Sequence, residues 1–191
     1  MKSNLSLKWS VFILAAFALS FLFFISRNPI EKVSASFSNQ TSVNFSLPAR
    51  LEIPKLNINT AIEDVGLASD GSMDVPKGPD DAAWFDLGPR PGETGSAVID
   101  GHSGYKNNAP AVFDSLYKLQ KGDDIYVQSA DGTTTIFVVQ GFRNYDPTAN
   151  AENVFNSNDG KAHLNLITCS GDWNANAQTH SKRLVVFTDK E

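Results

Sequence analysis

From Ala49 onward the chain never holds a helical period for long. Short runs that alternate apolar and polar residues follow one another, each stopped by turn residues. This rhythm restricts the fold more than any other feature of the sequence. "RLEIPKLNINTAI" alternates Leu51, Ile53, Leu56 and Ile58, with Pro54 breaking the run. "SDGSMDVP" carries an Asp-Gly turn signal at 70–71, and "GSAVIDGH" is a brief apolar strand that ends on a glycine. "DDIYVQSADGTTTIFVVQGF" reads as two strands around Asp131-Gly132, the strongest hairpin signal in the chain. "AHLNLITC" and "KRLVVFT" are two further strands. Only "PAVFDSLYKL" spaces its apolar residues, Val112, Phe113, Leu116 and Leu119, at helical intervals, which predicts a short amphipathic helix. The pattern predicts an all-β domain, a closed barrel or a sandwich, with one or two short helices.

The N-terminus is of another kind. "WSVFILAAFALSFLFFI", residues 9–25, holds no charge, proline or glycine. With Leu5 and Leu7 it approaches the roughly 20 residues that cross a bilayer as a helix. Lys2 and Lys8 precede it, the layout of a signal peptide or signal anchor, and the run is long for a signal peptide, whose apolar part is about 7–15 residues. "VSA" at 33–35 is a conceivable cleavage site, but it lies well past the run. The expectation is therefore a cytoplasmic N-terminus and uncleaved transmembrane anchor at 1–28. A Ser-, Asn- and Thr-rich linker follows at 29–48, then the strand-rich domain at 49–191. Basic residues flank the run on both sides, so they orient it weakly. The free amino terminus tips the orientation toward an inside N-terminus and an extracellular domain at the cell membrane.

The net charge of −5 excludes general nucleic-acid binding, which needs a basic footprint. Past residue 28 the net charge falls to −8. A single cysteine excludes an internal disulfide and a cysteine-rich zinc site. The acidic pairs Asp80-Asp81 and Asp123-Asp124 read as turns rather than calcium ligands, and neither a metal nor a cofactor is expected.

That cysteine, Cys169, is either a small buried hydrophobe or a nucleophile. It ends its strand beside Ser170-Gly171 in a chain read as exported, where an idle thiol is open to oxidation. A free thiol has a pKa near 8.5, so a catalytic one needs a base or a cation nearby. His163 lies on the same strand about 20 Å away and cannot touch it. His180 sits in a polar stretch and reads as a solvated loop residue. His102 follows the apolar strand "AVID" between Gly101 and Ser103-Gly104, which presents its ring at a strand end, and it is the better partner. Arg183 opens the last strand, either as a solvated strand-end cation or as an oxyanion donor that lowers the thiol pKa.

These residues resemble the sortase family, the membrane-anchored cysteine transpeptidases of mainly Gram-positive bacteria. "NLITC" resembles the family's TLxTC strand, with Asn165 where Thr is usual; "DGHSG" resembles its histidine segment and "RLVVF" its arginine strand. The likeness covers nearly all of residues 49–188, and the middle segments look most like class F or class E-like members. It implies an eight-stranded β-barrel with the site in a groove between its last strands. It also implies that Cys169 attacks a threonyl carbonyl in an LPxTG-like sorting signal of a surface protein, forming a thioester. An amine acceptor, from a cell-wall precursor or a pilin, then resolves that thioester. His102 is implied as general acid and base, Arg183 as the oxyanion donor, and Thr168 as an aid to substrate or oxyanion contact. Residues 170–183 read as a loop joining the two catalytic strands, with Trp173 either walling the groove or packing beneath its own loop. Two other readings stand beside this one. A thiol protease would let water resolve the thioester at the same site, and a non-catalytic barrel would bind peptides by strand addition.

Overall fold

A computed structural model of the chain describes residues 45–104, 109–176 and 179–191. The apolar run at 9–25 and most of the expected linker lie outside the described residues. Among the described residues no helix is long and apolar enough to cross a membrane.

Eight strands close into a barrel. They are β1 (Pro48–Ile53), β2 (Ile58–Val65), β3 (Ala82–Phe85), β4 (Gly95–Gly101), β5 (Asp124–Ser129), β6 (Thr134–Tyr145), β7 (Ala162–Asn174) and β8 (Thr179–Lys190). Their order round the barrel is β1-β2-β3-β4-β7-β8-β6-β5. Of the two folds the strand rhythm allows, the chain adopts the closed one. The hairpin at Asp131-Gly132 forms between β5 and β6, with Gly132 at φ 85° and the Asp131 carboxylate accepting from the Thr133 N–H. β2–β3 and β4–β7 pair parallel, and the remaining neighbours pair antiparallel.

Alternation assigns each strand an inner and an outer face. Inward go Leu51, Ile53, Ala97, Ile99, Ile125, Val127, Phe137, Val139, Leu164, Leu166, Leu184 and Val186, which make one buried cluster. Outward on β4, β7 and β8 go Val98, Ile167 and Val185. These meet Tyr145 and the short helix α1 (Glu152–Phe155) in a second apolar cluster. Asn165 holds α1 in place, donating from Nδ2 to the Val154 carbonyl at 2.6 Å.

Two local expectations differ from the structure. Residues 110–119 do not form an amphipathic helix: turns lead to a 3-10 turn at Leu116–Lys118. Its apolar residues Phe113, Leu116 and Leu119 still go inward, so burial at the end of the barrel decides the conformation and helical propensity does not. Residues 170–183 are not one long loop. β7 runs on to Asn174 and β8 starts at Thr179, with Ser170 opposite Lys182 and Trp173 opposite His180. Gly171 and Asp172 together face Ser181, a β-bulge, and Gly171 supplies the required φ of 75°.

Candidate active site

Three neighbouring strands bring the singled-out residues to one level. On β7, Cys169 stands directly opposite Arg183 of β8. On the other side β4 runs parallel to β7, with Asp100 opposite Ile167. Carried two residues further, the same register puts His102 at the level of Cys169. All three belong to the outer face, since they keep the alternation of Val98, Ile167 and Val185.

The end of β4 is fixed by its glycine. A Cβ on Gly101 would lie 2.5 Å from the Phe113 ring, so only glycine permits this approach. The Phe113 N–H donates to the His102 carbonyl at 2.9 Å. The Thr168 hydroxyl donates to the Gly101 carbonyl at 2.6 Å. Thr168 is buried and faces inward, so its hydroxyl clamps β4 to β7 and thereby holds His102 level with Cys169.

The His102 ring meets the Pro76 carbonyl, Nε2 to O 2.9 Å. A carbonyl only accepts, so Nε2 carries a proton. Arg183 is anchored along its own hairpin: Nη1 donates to the carbonyls of His180 (3.1 Å) and Lys182 (3.0 Å), and Nη2 to the Thr179 hydroxyl (3.0 Å). Those bonds fix the guanidinium beside Cys169 while engaging three of the roughly five N–H donors an arginine carries.

Burial pushes the Cys169 thiol pKa up; Arg183 opposes that rise and Asp100 adds to it. The resting sulfur is therefore a thiol. Asp100 is itself pushed up to about 7 by burial, against the pull of the Gly101 N–H and of Arg183.

One same-face step before Cys169, Ile167 belongs to the outer apolar patch, where Met73, Phe85, Ala151, Phe155, Ile167 and Phe187 are partly buried and Phe85 and Phe155 pack edge to face at 5.6 Å. Cys169 itself lines a pocket of about 410 Å³ together with His180, Asp114, Tyr117 and Phe142 among others. His180 is thus half-buried on β8 rather than a solvated loop residue, with Nδ1 donating to the Gly171 carbonyl at 2.9 Å. Trp173 is largely exposed. It packs edge to face on His180 at 5.3 Å, on the protruding hairpin and not beneath a loop. His163, remote from the sulfur, is held between Asp159 (3.0 Å) and Asp189 (2.8 Å). Among the described residues no group of His, Cys, Asp or Glu is placed to hold a metal.

Sequence reasoning passed over Asp100, His180 and the apolar patch. Asp100 drew no reading of its own, and His180 read as a solvated loop residue. That apolar patch joins residues from five separate segments, and no local pattern signals it.

A sortase-domain family model matches residues 51–191. No curated protein matches the chain in sequence. Among solved structures the barrel is similar to sortase C-1 of Actinomyces oris, with TM-score 0.60 and 24% identity over 75% of this chain and 73% of that one. A lid mutant of sortase A from Corynebacterium diphtheriae gives TM-score 0.59 and 24% identity over 80% and 74%. Sortase C2 of Pilus Island 1 from Group B Streptococcus gives 0.58 and 26% over 75% and 73%. These neighbours carry class A and class C names, and the class F or class E-like likeness rests on the middle segments of the sequence alone.

Proposed function

The chain belongs to the sortase family of cysteine transpeptidases, and on that premise we propose that it cleaves an LPxTG-like sorting signal through Cys169 and passes the protein to an amine at the cell surface. The observation that supports the residue assignment is the direct pairing of Cys169 with Arg183 across β7 and β8, beside the end of β4 from which His102 follows. The outer apolar patch suits the apolar part of an extended signal, since Ile167 lies one same-face step before Cys169.

The thiol proton passes to His102 and the sulfur attacks the threonyl carbonyl carbon. Arg183 holds the oxyanion, a contribution worth about 10²–10³ in rate for a donor of this kind. The C–N bond breaks as His102 returns the proton to the leaving amine. The acceptor amine then attacks the thioester, gives its proton to His102, and the sulfur leaves. The pocket with Asp114, Tyr117 and Phe142 suits this acceptor, because a carboxylate and exposed aromatic faces both favour an ammonium. The apolar run at 9–25 would tether the enzyme in the membrane with the barrel outside, where exported substrates emerge. The linker at 29–48 would hold the barrel off the surface.

The test incubates the full chain with an LPxTG-type peptide library, with and without an amine acceptor, beside Cys169→Ala, and reads products by mass spectrometry. Cleavage with an amine-dependent ligated product, both absent in the variant, is the expected result. Cleavage indifferent to amine would make the enzyme a hydrolase. Products from the variant would overturn the nucleophile assignment.

A further inference from the structure

The outer face of β4 delivers a carboxylate that the mechanism above does not use. Asp100 lies opposite Ile167 of β7 and Ala83 of β3, one same-face step, about 7 Å, before the level of Cys169. Its neighbours on that face are Val98, Ile167 and Val185, all apolar. The ionisable groups around that face come from several elements. β7 offers Cys169, β8 offers Arg183, its own segment offers His102, and α1 the exposed Glu152. β6 adds Arg143 and Tyr145, opposite Val185 and Arg183, and β2 adds Glu63, opposite Ala83 and paired with Lys77. The cation whose charge acts on Asp100 is Arg183, the residue assigned to the oxyanion. The nearest group that its own charge can oppose is the nucleophile.

We propose that Asp100 is a positioning residue that governs both members of the Cys169–Arg183 pair. Ionised, it opposes the thiolate and claims the guanidinium's charge; protonated, it releases both. This rests on the reading of Cys169 as nucleophile and Arg183 as oxyanion donor. Asp100 changes charge near neutral pH because its burial in the apolar face penalises the carboxylate. The enzyme is then tuned so that a rise in pH, which alone would favour the thiolate, is partly cancelled by the ionisation of its neighbour.

Cys169 is the only cysteine, so alkylation of the full chain in detergent by iodoacetamide reports on that sulfur alone. The rate is measured from about pH 5 to 10 for wild type, Asp100→Asn and Asp100→Ala. Wild type should rise more shallowly than a single titration, with the damping centred near pH 7. Both variants should rise as simple titrations with a lower midpoint. Variant and wild-type rates should agree near the acid end and differ by about threefold to tenfold between neutral and the thiol midpoint. Superimposed curves, or a midpoint moved upward, would overturn the proposal. If neither variant folds, the wild-type curve decides: a simple one-step rise overturns it. Peptide turnover is not read here, so a failure leaves the transpeptidase reading standing, and a failure of that reading leaves this test intact.

Discussion

Gly171 shows how one residue shapes the site. Its φ of 75° and the 2.5 Å that would separate an added Cβ from the Ser181 hydroxyl admit no side chain without displacement. Gly171→Val should cost about 1–3 kcal/mol and shift Ser170 and Arg183 from their register. Thermal unfolding would read the first effect. A fall in turnover larger than the loss of folded protein explains would read the second; unchanged stability would contradict the strained bulge. Cys169 stood out in the sequence because a lone thiol at a strand end has few ordinary reasons to be there, and the structure pairs it with Arg183. Asp100 was not legible, because an Asp before a Gly is the commonest kind of turn residue, and its burial depends on β7 and β8, which lie far along the chain. Asn165 likewise read as a departure from a motif, whereas its amide secures α1 to the outer face.

Among the elements, β7 and β8 carry most of the arrangement, and His163 staples them at the end away from the sulfur. Its ring joins Asp189 of β8 and Asp159 of the segment that leads from α1 into β7. Burial disfavours charge on this ring, but hydrogen bonds to Asp159 and Asp189 outweigh it and hold the pKa above the ordinary 6.5. A raised value means that the staple stabilises the fold fully below 6.5 and is lost as pH climbs through the folded-state value. Wild type should thus lose roughly 1 kcal/mol between about pH 6 and pH 8 relative to His163→Gln, measured by denaturant unfolding at each pH. Parallel stability curves for the two proteins would remove this role. The strands β5 and β6 were legible because their turn is local and chemically explicit. The continuation of β7 was not, because a bulge interrupts the alternation on which strand recognition depends. The 110–119 segment showed a helical period for the opposite reason: three inward residues at a barrel mouth can share that spacing without a helix.

For the whole molecule, all-β character and short strands followed from the rhythm of the sequence, while closure did not. The pairing of β4 with β7 joins residues more than sixty positions apart, and a parallel pair leaves no turn signature between its members. The proposed membrane tether belongs to this scale too. Deleting residues 1–28 should move the protein from the membrane to the soluble fraction while leaving peptide cleavage by the barrel intact. Membrane retention of the truncated chain would contradict the anchor. Closure of the barrel bears finally on turnover. The enzyme must handle extended polypeptide all its working life, and an extended guest that could pair with an open sheet would be slow to leave and prone to recruit others. A closed ring of eight strands leaves such a guest only the short edges of the β7–β8 hairpin past Ile167 and before Arg183. Each client can then depart once its thioester is resolved.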